Sequence, residues 1–247
     1  MTLMSKDCTL VEWSKDRIWY CTMPYRVAGA PIGHRMTIIR LNNNKLFIHS
    51  PIDITPKLQR QISQLGDISY VVTPNKSHNI YLSDWWLAYP QAYFYAPPGL
   101  IHKRSDLTFD DALGNKTPYH WQGQLLQTVI RGSDTMEEIA FCDPHSQTLI
   151  LGDALAWMVE SRHPLTFAIA VLNGCYFKPA MPWYWRITFQ NHTQLRQSIQ
   201  EILTWPFERI ILSHGKVIDN NAKAHFSAAF SWLMAHKIKL TTTKKHK

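Results

Sequence analysis

The stretch Val71-Val72-Thr73-Pro74-Asn75-Lys76-Ser77-His78-Asn79 decides how this chain is read. Its first part closes an apolar, β-branched run from Ile68 to Thr73, the composition of a buried strand. Pro74 cannot continue a hydrogen-bonded ladder, and the polar residues that follow make a loop. Ile80 to Tyr89 is then predicted to be helical. A buried strand therefore hands a lysine, a histidine and asparagines to a loop at its carboxyl end, just before a helix.

Outward from that stretch the pattern is regular. Met36 to Leu41 and Lys45 to His49 read as strands joined through Asn42-Asn43-Asn44. Thr55 is an N-cap by residue type, with Pro56 at the first helical position. Leu58, Ile62 and Leu65 follow at helical spacing, and Gly66 ends the helix. Ala92 to Ala96 is a short strand stopped by Pro97-Pro98-Gly99, and residues 103–123 are polar and irregular. Leu125 to Ile130, Ile139 to Cys142 and Thr148 to Leu151 read as strands, the last ending at Gly152-Asp153. Residues 154–190, rich in aromatics and prolines, are expected to form loop and short helix over one end of the domain. Thr193 to Trp205 is a helix, Arg209 to Leu212 a strand and Asn221 to His236 a final helix. Before all of these, Val11 to Trp13 and Ile18 to Thr22 pair as a hairpin, and Met23 to His34 is loop. The expected division is an N-terminal extension over 1–34, one domain over 35–236 and a basic tail over 237–247. Such an order of strands and helices suits two sheets between helices, although order alone leaves other α/β layouts open.

Composition narrows the classes further. In 247 residues, a hydrophobic share of 45% against 18% charged gives a globular chain with a packed core. The formal net charge is +8, yet Lys239, Lys244, Lys245 and Lys247 fall in the last nine positions, where solubility is the plainest role. Neither a recognition-helix pattern, a zinc-finger spacing nor an RNP-like motif is present, so nucleic acid is not an expected partner. No apolar run is long enough to span a bilayer, and the first residues do not read as a signal peptide. Cys8, Cys21, Cys142 and Cys175 lack CxxC spacing and are expected to be core or free thiols in a reducing cytoplasm.

Three strand ends carry a resemblance. The loop after Val71-Val72-Thr73, the Gly152-Asp153 that closes Thr148 to Leu151, and the Ser213-His214-Gly215 that closes Arg209 to Leu212 resemble, in order, landmarks of the metallo-β-lactamase superfamily. Its His-x-His-x-Asp-His motif stands in the first of these settings. Arg35-Met36-Thr37, His49-Ser50-Pro51, Pro74-Asn75-Lys76, Tyr95-Ala96-Pro97-Pro98-Gly99-Leu100, Arg131-Gly132-Ser133 and Trp205 are similar, more closely, to one offshoot, the domain of unknown function 4336 family. The resemblance covers residues 35 to about 233 and implies an α/β fold, the metallo-β-lactamase-like αββα sandwich, with two mixed sheets between helices.

It also implies positions for a site. The superfamily holds two metals, usually zinc or iron, on imidazoles and a bridging carboxylate. Pro74 and Lys76 stand at the first two histidine positions and Ser133 at that metal's third ligand, so the first site is read as lost. His78, Asp153 and His214 stand at second-site positions and make a three-ligand set, while Asn79 stands at the motif's last histidine. The preferred reading is a degenerate site without a cofactor, in which the Lys76 ammonium pairs with Asp153 in place of the metal. The protein would then bind an unidentified small molecule or protein without catalysis. The alternative is a hydrolase with one zinc or iron ion on His78, Asp153 and His214, with Arg131 and Ser133 meeting an anionic substrate. A third reading makes Lys76 and His78 acid–base groups around Asp153. Glu137 and Glu138 are expected in a solvated turn, His49 as a structural histidine, and Trp85, Trp86, Trp183 and Trp185 as core or lid.

Overall fold

The computed structural model describes residues 8–234; the basic tail expected over 237–247 lies outside them. The strands are β1 (Val11–Ser14), β2 (Ile18–Met23), β3 (Arg26–Val27), β4 (Ala30–Pro31), β5 (His34–Arg40), β6 (Lys45–His49), β7 (Asp67–Val72), β8 (Tyr93–Ala96), β9 (Asp111–Ala112), β10 (Leu126–Ile130), β11 (Glu138–Asp143), β12 (Thr148–Leu151) and β13 (Arg209–Leu212). The helices are α1 (Pro56–Ser63), α2 (Leu82–Ala88), α3 (Pro98–Lys103), α4 (Pro164–Leu172), α5 (Trp183–Arg186), α6 (His192–Thr204), α7 (Ala222–Ala229) and α8 (Ser231–Met234). One sheet has the order β1-β2-β5-β6-β7-β8-β9, a second β10-β11-β12-β13, and β3-β4 is a separate hairpin.

Strand periodicity explains how the sheets stack. Successive residues of a strand face opposite sides. Ile38, Ile48 and Val71 point to a core shared with Leu58 and Ile62 of α1 and Trp85 of α2. Their neighbours Ile39, Phe47 and Val72 point the other way, to a core that also holds Phe141, Ile150 and Ile211 of the second sheet. Leu149, Leu151, Ile210 and Leu212 face a third core with Leu195, Ile199 and Ile202 of α6 and Phe226 of α7. The layers are therefore helix, sheet, sheet, helix, and the central strands read as unbroken apolar runs because both their faces are buried. Thr55 caps α1 by accepting the Leu58 N–H at 3.2 Å.

Three expectations change. The hairpin at the N-terminus is no attachment: β2 pairs along its length with β5, from Ile18 opposite Ile39 to Met23 opposite His34. It prolongs the main sheet because Ile18 and Cys21 alternate in step with β5 and bury both faces. Cys8 and Cys21 form a disulfide, with Cα atoms 6.0 Å apart, whereas Cys142 and Cys175 are buried thiols. Pro97-Pro98-Gly99 stops β8 as expected but also starts α3, with Pro98 in the first turn, where its missing N–H costs nothing.

Parallel pairing then gathers the chemistry at one end. β6 runs parallel to β7, and β12 to β13. The carboxyl ends of all four, and the amino ends of the antiparallel β5 and β11, open on the same rim. In parallel α/β sheets this is where ligand sites are built.

Candidate metal centre

The loop after β7 brings two side chains inward. Asn75 and His78 are 1% and 3% exposed. The Asn75 carboxamide oxygen accepts the N–H groups of Ser77 and His78, at 2.9 and 3.2 Å, which folds the loop back on itself. Its nitrogen donates to Glu138 Oε2 at 3.1 Å and to Asp153 Oδ2 at 3.0 Å, joining two buried carboxyls through one amide.

Asp153 is the centre of the cluster. Its Oδ1 lies 3.1 Å from His78 Nε2 and 3.1 Å from His214 Nε2. Burial alone would raise its pKa. The positive potential and hydrogen bonds of His78 and His214 outweigh burial and hold the carboxyl well below the usual range. One ligand-type atom from each of His78, Asp153 and His214 falls within 4.8 Å of the others, and no other such group occurs among the described residues.

Each imidazole is oriented from behind. His214 Nδ1 is 2.6 Å from the Gly33 carbonyl oxygen, an acceptor, so Nδ1 carries the proton. His78 Nδ1 is 2.5 Å from Ser50 Oγ, which is 2.7 Å from His34 Nε2. Ser50 holds a left-handed backbone conformation, φ 58°, uncommon for a non-glycine residue. Burial first, then His78 and His214, keep His34 neutral by lowering its pKa well below the ordinary value. Such outer hydrogen bonds are what fix the tautomer and ring plane of a metal-ligating histidine.

Glu138 supports the centre from below. It is fully buried, and its carboxyl accepts the backbone N–H groups of Gly152, Asp153 and Ala154 at 2.6–3.1 Å. Burial and the nearby Asp153 charge push its pKa up to about 8, while the Asn75 and backbone hydrogen bonds oppose that shift. Every partner is a donor, which is why these bonds oppose the rise. Gly152 makes the approach possible, since a Cβ there would stand 2.9 Å from Asn75 Nδ2 and 3.0 Å from Glu138 Oε2. Glu138 was expected in a solvated turn. It is buried because it opens β11 opposite the end of β12, a pairing that spacing alone does not reveal.

Lys76 is the principal correction. Its Nζ does not reach Asp153; it pairs with Glu137 Oε1 at 3.3 Å and donates to the Asp134 carbonyl at 2.5 Å. The pair lies over Gly99, whose N–H donates to Glu137 Oε2 at 2.7 Å and whose missing side chain leaves the space it fills. With Asn75 and His78 directed inward, Lys76 between them faces out. Ser133 and Arg131 are also elsewhere. Ser133 Oγ is 2.7 Å from Thr188 Oγ1, and Arg131 lies beside Ser198 and 3.9 Å from Glu201. Asn79 donates to the Lys76 carbonyl at 2.7 Å, outside the cluster. His49, fully buried between the sheets, has no hydrogen-bond partner on either ring nitrogen, and burial first, then His78, lower its pKa to about 3.

The cluster floors a cavity of about 440 Å³. Tyr25, Val27 and Ile32 of the β3–β4 region form one wall, and Ile169, Tyr184 and Trp185 form the other. Trp85 is core, fully buried, and donates to the Ile52 carbonyl at 2.6 Å.

The model of the family described as Domain of unknown function (DUF4336) matches residues 15–174. The chain belongs to this family. The DUF4336 match takes in both β2 and the rim from His34 to Asp153, which agrees with β2 being part of the main sheet. No curated protein matches the chain by sequence. Solved structures match the fold of this DUF4336 protein. The DIM-1 metallo-beta-lactamase is 14% identical, with 93% of this chain and 98% of that one covered at a TM-score of 0.65. A putative diflavin flavoprotein A 5 fragment from Nostoc sp. PCC 7120 is 14% identical, covering 94% and 97% at 0.68. The metal-soaked Flv1 flavodiiron core from Synechocystis sp. PCC6803 is 12% identical, covering 94% and 62% at 0.64. At these identities the likeness is one of fold, and the architecture is the metallo-β-lactamase-like αββα sandwich.

Proposed function

We propose that the chain binds one divalent metal ion on His78, Asp153 and His214 and uses it to hydrolyse an ester, amide or phosphoester bond in a substrate with an apolar body. The observation that carries this reading is the facing of His214 Nε2 and Asp153 Oδ1. Because Nδ1 of His214 donates to Gly33, Nε2 points at a carboxylate oxygen 3.1 Å away, and what sits between the two is a cation, a proton or a metal ion. Two lone pairs so placed repel unless a cation lies between them. The donor set, two imidazole nitrogens and a carboxylate oxygen, suits zinc or iron. Two buried carboxyls, Asp153 and Glu138, share Asn75, and no lysine or arginine among the described residues pairs with either.

A divalent ion held there would supply Lewis-acid chemistry and lower the pKa of a water near neutrality. The chain's own groups supply the rest. Asp153 stays ionised over the physiological range, the Gly33 carbonyl and Ser50 fix the two imidazoles, and Glu138 anchors the turn that carries Asp153. The aromatic and aliphatic walls exclude water and select an apolar substrate body.

A metal-free reading keeps a proton in place of the metal, as an imidazolium on His214 paired with Asp153. The non-catalytic form of that reading rested on a Lys76–Asp153 pair, and the Lys76–Glu137 pair removes that support. No helix among the described residues is long and apolar enough to cross a membrane. The Cys8–Cys21 bond departs from the reduced thiols expected of a cytoplasmic chain and leaves the compartment open.

The test is turnover of p-nitrophenyl acyl esters and phosphodiesters by chelator-stripped protein before and after one equivalent of zinc or iron. The reading expects metal-stimulated turnover that Asp153→Ala abolishes and that favours longer acyl chains. Turnover indifferent to both metal and Asp153 would overturn it.

A further inference from the structure

Helix α4 breaks the ordinary rule for a surface helix. Its sequence, Pro-Leu-Thr-Phe-Ala-Ile-Ala-Val-Leu, has no charged residue, so it is apolar around its whole circumference. Helices of that kind belong inside a core or in lipid. Here only Thr166 and Ala170 are buried, Thr166 Oγ1 donating to the Pro31 carbonyl at 2.9 Å, while Leu165, Phe167, Val171 and Leu172 are exposed, Leu172 at 80%. Single exposed apolar side chains are ordinary; a contiguous field of them marks an interaction surface.

The field is contiguous. Leu165 lies next to Gly29 of the β3–β4 hairpin, where an added Cβ would stand 3.7 Å from its Cδ2. Phe167 meets Tyr176 edge-on with ring centroids 4.7 Å apart, and Tyr176 meets Phe177 at 5.1 Å. Asn173, which caps α4, accepts the Tyr184 N–H at 3.4 Å and so brings up Trp183, Tyr184 and Ile187, all more than half exposed. Across residues 24–33 and 161–187 the charges are Arg26, Arg162, Lys178 and Arg186, without one aspartate or glutamate.

We propose that this face docks on an anionic lipid membrane, with the apolar side chains below the headgroups and Arg26, Arg162 and Lys178 among the phosphates, while Arg186 stacks on the Trp232 ring. Exposed tryptophan and tyrosine beside aliphatic residues, ringed by basic ones, is the composition of an interfacial anchor. A second copy fits less well, because a two-fold contact would set the same cations against one another. Val27, Ile169 and Tyr184 line both the cavity and this face, so the cavity opens where the membrane would lie. The inference does not depend on a metal being bound.

Flotation of the full chain with phosphatidylcholine vesicles, with and without about one third phosphatidylglycerol, tests it. Binding is expected to the anionic vesicles, with a blue-shifted tryptophan emission and a loss of roughly tenfold or more at about 0.5 M salt. The double variant Leu172→Glu/Phe177→Glu changes two side chains 80% and 74% exposed, so its melting temperature should match the parent. Its partitioning is expected to fall by about tenfold or more. No flotation on anionic vesicles, or equal flotation of the double variant, would overturn the proposal. So would a dimer in sedimentation velocity that the double variant dissociates while vesicles go unbound.

Discussion

One loop, residues 74–79, sends its side chains in two opposite directions. At its inner positions Asn75 and His78 are buried and join Asp153 in a hydrogen-bonded centre. Between them Lys76 turns outward to Glu137 and leaves the centre untouched. A cation in the loop is not a cation at the centre. Where its side chain goes depends on whether a partner and a space exist outside, and Glu137 over Gly99 provides both.

Breaking the inner half should have the largest effect. Asp153→Ala removes the carboxylate between the two imidazoles, and zinc affinity, read by calorimetry, should fall by about 100-fold or more. Next comes the support beneath it. Glu138→Gln turns one acceptor of the cradle into a donor facing donors, and should cost about 1–3 kcal/mol in urea unfolding. The pH dependence sharpens the same contrast. His49 is held neutral, with a folded pKa of about 3 against about 6.5 unfolded. The unfolded chain binds the proton first, so stability is complete above pH 6.5 and is lost on acidification toward 3, by about 1.4 kcal/mol per pH unit from this group. His34, also depressed, adds to the loss in the same direction. His49→Leu, which removes two unpartnered ring nitrogens, should flatten the stability–pH curve and leave neutral-pH stability unchanged or higher. The outer half should matter least. Lys76→Met breaks a partly exposed ion pair, and its cost should stay below about 1 kcal/mol with zinc affinity unchanged.

The sequence reading reaches far into the fold and only part of the way into the site. β6 matches its expected bounds, Lys45 to His49, and α1 begins at Pro56 behind Thr55, because period and cap residues are local signals. Strand ends carrying Asp153 and His214 were legible for a related reason: a buried run must stop, and the first polar residues after it mark the rim. The remaining parts of the centre are set by pairings far apart in sequence. Glu138 reaches Gly152–Ala154 only because β11 lies antiparallel to β12, and His34 reaches Ser50 only because β5 and β6 pair. Gly33 contributes only a carbonyl, which no residue type announces. Lys76 was misplaced because an alignment gives the position of a Cα and not the direction of a side chain.

The most direct test of the account is the metal content of purified, untagged protein from metal-replete medium, compared with His214→Ala. The account predicts about one equivalent of zinc or iron per chain in the parent, retained by Lys76→Met and lost in His214→Ala. No metal in the parent even after added zinc, or full retention in His214→Ala, would contradict it.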